Sequence, residues 1–277
     1  MIHPCRSALF LPASNPRAIA KAGTLPCDAV ILDLEDAVAP HAKVQARAAA
    51  LQAATEGFGE RRLIIRANAF DTPWGEADCA ALRNAPVDAV LLPKVDSPED
   101  LRRARALIGE DGPPLWAMIE TCRGVLALRD IVAAASVLRL GGLIAGTNDL
   151  AKEMRLPVDP HRTALMPLLM QMVVAARAYG LTVLDGVCNA LDDVDRLTAE
   201  CAQGRMLGFD GKTLIHPSQI APANTAFGPS SDEIAWARAV VAAFADPANA
   251  ALGAIRLDGQ MVERLHLAQA ERLLALG

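Results

Sequence analysis

Short apolar runs recur along the first 220 residues at 7–11, 29–34, 62–67, 88–92, Leu115–Ile119, 137–146, 181–187 and 208–215. Each has the length of a buried strand, and most are bounded by Gly, Pro or acidic residues. Between them lie stretches with helix signals. Asn15 caps a helix that Pro16 opens, Ser97 caps one over Pro98–Ile108, and Gly180 closes one over 163–179. Further helices are predicted over 42–55, up to Leu82, and over 125–135 and 192–206. About eight strands alternating with helices predict a closed TIM (β/α)8 barrel rather than a doubly wound open sheet.

Beyond residue 220 the pattern changes, with Pro222 and Pro229 breaking it. Helices are predicted over 232–244 and 261–276. A linker at 247–253 and a turn or short strand at 255–259 lie between them. The expected organisation is a catalytic barrel at 1–225 and a C-terminal helical extension at 226–277 that contacts a neighbouring subunit.

Composition narrows the class. The 277 residues are 52% hydrophobic and 21% charged, so a sizeable soluble core can form. Aromatics are only 4%, which leaves Ala, Leu, Val and Ile to fill that core. A net charge of −5 argues against a general nucleic-acid binder. Six cysteines stand at 5, 27, 79, 122, 188 and 201 with no C-x-x-C pair, which reads as reduced thiols in a cytoplasmic protein. No apolar run reaches membrane-spanning length, and Pro12 and Pro16 interrupt the N-terminal one, so neither a membrane anchor nor a signal peptide is expected.

In a barrel of this kind the chemistry collects at the C-terminal ends of the strands. Those ends supply Glu35, Asp36, Arg66, Lys94, Glu120, Asp149, Asp185 and His216. Each has a duller reading as a helix cap, an ion pair or a turn residue, but together they point to a site. Glu120 and Asp149 on one rim, with few Cys or His nearby, suit a hard divalent ion such as Mg²⁺. An Arg fork beside two metal-binding acids fits a keto or hydroxy carboxylate, and hence carbon–carbon chemistry next to a carbonyl.

Segments along nearly the whole chain resemble the citrate lyase β-subunit-like (CitE-like) family of the HpcH/HpaI aldolase superfamily. They are RSALFLPASNPRAIAKA at 6–22, DAVILDLEDAVAP at 28–40, RAN at 66–68, LLPKV at 91–95, IETCRG at 119–124, GTNDLA at 146–151, LGFDGKTLIHPSQI at 207–220 and LDGQM at 257–261. The resemblance implies a Mg²⁺-dependent TIM-barrel lyase, often trimeric, acting on citryl, malyl or citramalyl thioesters. It assigns Glu120 and Asp149 to the metal, Arg66 to the substrate carboxylate and Asp36 to the metal's water shell. Arg17 and Lys21 fall where family members meet the thioester carrier. A tail carboxylate from another subunit takes part in catalysis in this family, and Glu263 stands at its position. The family's usual DGKMID is here Asp258-Gly259-Gln260-Met261-Val262-Glu263.

The expected function is a Mg²⁺-dependent carbon–carbon lyase giving a 2-keto acid, such as oxaloacetate, and an acyl thioester. Alternatives are the β subunit of a multi-subunit citrate lyase, a metal-dependent aldolase using no thioester, and Schiff-base chemistry at Lys94. The expected partners are small-molecule substrates and further copies of the chain.

Overall fold

The computed structural model describes residues 5–249 and 251–275. Residues 1–4, 250 and 276–277, which the expected domain bounds, linker and final helix include, lie outside the described residues.

Residues 5–224 form one compact unit. Its strands are β1 (Ser7–Pro12), β2 (Ala29–Asp33), β3 (Arg62–Arg66), β4 (Ala89–Leu92), β5 (Leu115–Ile119), β6 (Leu140–Ala145), β7 (Thr182–Asp185) and β8 (Gly211–Leu214). Each pairs in parallel with the next, and β8 pairs back to β1, so the sheet is the closed barrel that the alternation predicted. The strands are buried on both faces and mostly apolar, as parallel strands under a helix layer must be, with β8 carrying the buried polar pair Lys212 and Thr213. One face lines the interior with Ile31, Ile64, Leu91, Trp116, Ile144 and Leu184 among its residues. Gly142 makes room for the largest ring there: a Cβ on it would lie 2.6 Å from the Trp116 indole.

Two differences from the sequence reading concern the site. The apolar run 137–146 does not begin as a strand. Ala135–Leu138 is a short helix, and Arg139 at φ 52° turns the chain into β6. After β6, Thr147–Glu153 is a helix that the sequence did not announce, because Leu150 is its one buried large apolar residue. Farther on, Ile220–Phe227 is helical despite Pro222. That proline sits in the first turn, where a backbone N–H has no helical partner to lose.

The described residues from 225 onward form a second compact unit. It packs helices Ser231–Ala245 and Arg264–Leu274 around Ala237, Val240, Phe244, Val262 and Ala270. The expected final helix is shorter than predicted. Residues 260–263 form strand β10 (Gln260–Glu263), paired antiparallel with β9 (Ala254–Leu257). The connection is Asp258-Gly259 with φ 47° and 82°, the two left-handed positions of a tight hairpin turn.

All six cysteines are free, and all but Cys122 are buried. Burial pushes the thiols of Cys5 and Cys79 up to about 12 and that of Cys201 up to about 11. No helix among the described residues is long and apolar enough to cross a membrane.

Candidate active site

The register of β2 on β3 sets Asp33 directly beside Arg66 on the interior face of the barrel's mouth. Asp33 takes Arg66 side-on, with Nε–Oδ1 and Nη2–Oδ2 both 2.7 Å. Asp33 also accepts the backbone N–H groups of Glu35 at 2.8 Å and Ala37 at 3.0 Å. Burial would raise the Asp33 pKa, but the Arg66 charge and these hydrogen bonds win and hold it below the usual carboxylate value. The Arg66 guanidinium also lies over Phe10, 4.9 Å from the ring centre. Asp33 was not expected as a site residue. It fixes the plane of the guanidinium.

The remaining nitrogen, Nη1, points to a group of acids. Glu35 Oε2 is 3.0 Å away in an ion pair without hydrogen-bond alignment, and Asp36 Oδ2 is 3.7 Å away. Glu35 is buried, whereas the Asp36 side chain is 62% exposed. Lys43 holds this turn from behind, donating to the carbonyls of Leu34 at 2.8 Å and Glu35 at 2.6 Å.

Lys94 follows β4 in the left-handed region at φ 50°, costly for a residue with a Cβ. That backbone aims its N–H at Glu120 Oε1, 2.7 Å away, while its Nζ reaches Glu35 Oε1 at 2.8 Å. Burial would lower the Lys94 pKa, but Glu35 overcomes it and raises the value. A Schiff-base lysine needs the opposite shift. Glu120 directly follows β5, and its second oxygen, Oε2, is buried with no hydrogen-bond partner. Burial first, then the charge of Glu35, with Asp149 adding, pushes its carboxyl up to about 8. Gly146 lies against it: a Cβ there would be 2.2 Å from Glu120 Cβ and 2.6 Å from Oε2. Asp149 sits in the first turn of the helix that follows.

A cavity of about 300 Å³ at the mouth is walled by Arg66, Asp33, Asp36 and Asp149 with Met118 and Asn189; Glu35, Lys94 and Glu120 are not among its lining residues, although Gly146, which packs against Glu120, is. An orphaned carboxylate oxygen beside a second acid, with no His or Cys, is an oxygen donor set for a hard cation. Two acids do not complete a shell, and no group of three or more metal-ligating side chains occurs among the described residues. Mg²⁺ accepts such a site, because it keeps waters and substrate oxygens in its octahedron.

Other expected residues lie elsewhere. Arg17 and Lys21 are exposed on helix Pro16–Ala22 and do not line the cavity. Asp185 is fully buried in an ion cluster with Arg162 at 2.8 Å and Lys212 at 3.1 Å, so it does not face the cavity. His216 caps a 3₁₀ turn through its ring, 2.7 Å from Ser218 Oγ. Glu263 belongs to the second unit. It stands where β10 becomes a helix, its N–H held by His266 Nδ1 at 2.9 Å.

The family model described as HpcH/HpaI aldolase/citrate lyase matches residues 6–217, three quarters of the chain and all of the barrel. The chain belongs to this family. A (3S)-malyl-CoA thioesterase of Cereibacter sphaeroides is 47% identical over 99% of this chain and 94% of its own length. The citrate lyase subunit beta of Escherichia coli (strain K12) is 33% identical over 96% and 93%. Protein CitE from Mycobacterium tuberculosis, in complex with magnesium, acetoacetate and coenzyme A, aligns with a TM-score of 0.79 and 31% identity, covering 99% of this chain and 97% of that one. The CitE-like resemblance read from the motifs is borne out at this level, and with it an enzyme of the aldolase and lyase superfamily.

Proposed function

We propose that the cavity takes the coenzyme A thioester of a 3-carboxy-3-hydroxyacyl group, of the malyl type, and cleaves it with Mg²⁺ held by Glu120 and Asp149. The observation that carries this reading is the partnerless, buried Oε2 of Glu120, within reach of the Asp149 charge, at the strand ends that also present a pinned Arg66. When bound, the cation supplies positive charge at the oxygen where negative charge develops. Arg66, its plane fixed by Asp33, binds the carboxylate through Nη1. Asp36, the exposed acid of the group, exchanges a proton between the substrate and solvent. Arg17 and Lys21 meet the phosphates of the carrier outside the cavity.

Two bond cleavages are open to such a complex. Breaking the carbon–carbon bond gives a 2-keto acid and an acyl thioester, the lyase outcome. Adding water at the thioester gives the free hydroxy acid and coenzyme A, which the malyl-CoA thioesterase at 47% identity favours. Incubation with (3S)-malyl-CoA, with and without Mg²⁺, tests both. Hydrolysis releases a free thiol and malate, whereas lyase action releases glyoxylate and leaves the thiol acylated. No turnover of either kind with Mg²⁺ present sinks the proposal.

Glu120 also sets a pH dependence. A carboxyl titrating at about 8 carries a proton that a cation must displace. Mg²⁺ affinity is therefore expected to rise from pH 6 to 8, by roughly tenfold per unit where one proton leaves. For the metal-free protein the sign is opposite. A folded pKa raised above the unfolded 4.5 means that stability falls as pH rises through the interval up to about 8. Titration calorimetry in two buffers of different ionisation heat counts the released proton. A flat affinity removes Glu120 from the coordination shell.

We further infer that Glu263 acts on the thioester half in a neighbouring subunit of a homo-oligomer. Glu263→Gln should retain Mg²⁺ and keto-acid binding but lose turnover. Co-refolding it with Glu120→Ala should restore activity, because a native tail then meets a native barrel in mixed oligomers. Recovery from co-refolded wild type but none from the mixture rules the shared site out.

A further inference from the structure

Asp149 stands on a helix that has little to hold it in place by itself. Thr147–Glu153 has seven residues, too few to be stable alone, and Leu150 is its one buried large apolar side chain. Its position is therefore set by what ties it to the barrel. At its front, Gly186 lies against Thr147: a Cβ on Gly186 would be 2.4 Å from Thr147 Oγ1. One residue on, Asn148 and Asn189 exchange amide hydrogen bonds at 2.7 and 3.3 Å. Behind the helix the chain returns to place Arg162 on Asp185, its Nη1 2.8 and 2.9 Å from the two carboxylate oxygens. The dipeptide Asp185-Gly186 at the end of β7 thus holds the helix from both ends. The last helical residue reaches the segment of Glu120, where Glu153 Oε2 accepts the Cys122 N–H at 3.2 Å.

Arg162 is wholly committed to this contact. It is 7% exposed and sits in the left-handed region at φ 53°, a conformation that persists only where the surroundings over-determine it. Its Nε donates to Gln203 Oε1 at 2.9 Å and its Nη2 to the Glu200 carbonyl at 3.4 Å, both on helix Val194–Leu207. Leu184 belongs to the barrel interior, so Asp185 points the other way, into the layer between sheet and helices. There Lys212 of β8, fully buried, donates to Asp185 Oδ2 at 3.1 Å and to the Gly186 carbonyl at 2.6 Å. It also pairs with Glu200 Oε2 at 3.2 Å. Two cations and two acids are shut away from water together. Desolvating them costs about what their attraction returns, so the cluster adds little stability over apolar packing of the same volume.

We propose that the cluster supplies geometry instead. Arg162 and Asp185 are positioning residues that set Asp149 opposite Glu120 at the separation a cation needs. Neither lines the cavity. The inference rests on the metal site proposed above and adds the residues that hold it in shape.

Mg²⁺ titrated calorimetrically into folded protein reads the placement of Asp149 and not the overall stability. Arg162→Ala should weaken Mg²⁺ binding by roughly tenfold or more, the usual consequence of losing support behind a ligand. Arg162→Lys keeps the charge but cannot also reach Gln203 and Glu200, and should weaken it by about threefold. Arg177→Ala is the control. It breaks an ion pair at the opposite end of the barrel, Arg177 Nη2 to Asp210 Oδ1 at 2.7 Å, and should lower the melting temperature with Mg²⁺ affinity unchanged. Wild-type affinity in folded Arg162→Ala overturns the proposal, and so does an equal loss in Arg177→Ala. Should Arg162→Ala not fold, the lysine variant decides, and wild-type affinity there overturns it. A wild type that binds no Mg²⁺ removes the metal site itself, and the positioning role falls with it.

Discussion

Glu120→Gln will lose Mg²⁺-dependent turnover, by on the order of a thousandfold or more, and the protein will be at least as stable as the wild type. The two halves of this expectation come from the same carboxyl. Its Oε1 accepts the Lys94 N–H at 2.7 Å, and a glutamine carbonyl can keep that bond. Its Oε2 is buried without a partner, and burial together with Glu35 penalises its charge. Removing the charge therefore relieves the metal-free fold while taking away the proposed cation ligand. Glu120→Ala is a poorer probe, because it also strands the Lys94 N–H at a cost of about 1–3 kcal/mol. Asp149→Asn should share the loss of turnover. Thermal melts without metal, combined with Mg²⁺ titration, check both variants. A variant that binds Mg²⁺ as the wild type does, or that unfolds much earlier, contradicts the assignment.

Arg66 is expected to matter for both stability and activity. In Arg66→Ala the Asp33 carboxylate stays buried with only backbone donors, and breaking a buried pair in this way costs about 3–5 kcal/mol. For a chain of this size the Tm should fall by roughly 5–15 °C. Arg66→Lys keeps a charge but cannot span both Asp33 oxygens while also pointing into the cavity. Losing a charge-assisted bond to the substrate corresponds to about 1.5–3 kcal/mol, or roughly tenfold to a hundredfold in kcat/KM. The check is paired: melting curves for both variants and steady-state kinetics for the lysine form. Wild-type kinetics in Arg66→Lys would take Arg66 out of the carboxylate role.

Much of this arrangement was legible in the sequence, because parallel strands announce themselves as apolar runs and their ends are countable. That logic places Arg66, Glu120 and Asp149 on one rim. It does not give the register that pairs Asp33 with Arg66, since the partners are 33 residues apart and nothing local links them. The left-handed backbone at Lys94 is invisible for a related reason: a non-glycine residue held there by its neighbours carries no sequence mark. The Asn148–Asn189 pair likewise spans 41 residues and follows no periodicity. Elsewhere a signal was present but overridden. Asp258-Gly259 is a strong hairpin dipeptide, yet the apolar spacing after Met261 resembles a helix and obscured strand β10.

The distribution of the cysteines makes the molecule convenient to tag. Five thiols are shielded from reagents by burial, while Cys122, partly exposed, opens the helix just after β5. Desolvation, and after it the carboxylate of Glu153, raise its pKa, which slows its alkylation without hiding it. A maleimide dye should therefore attach at one position, two residues from Glu120, with no engineered cysteine. Arrival of a cation or a thioester at the barrel's mouth could then be followed as a change in the emission of a single fluorophore on the unmutated chain.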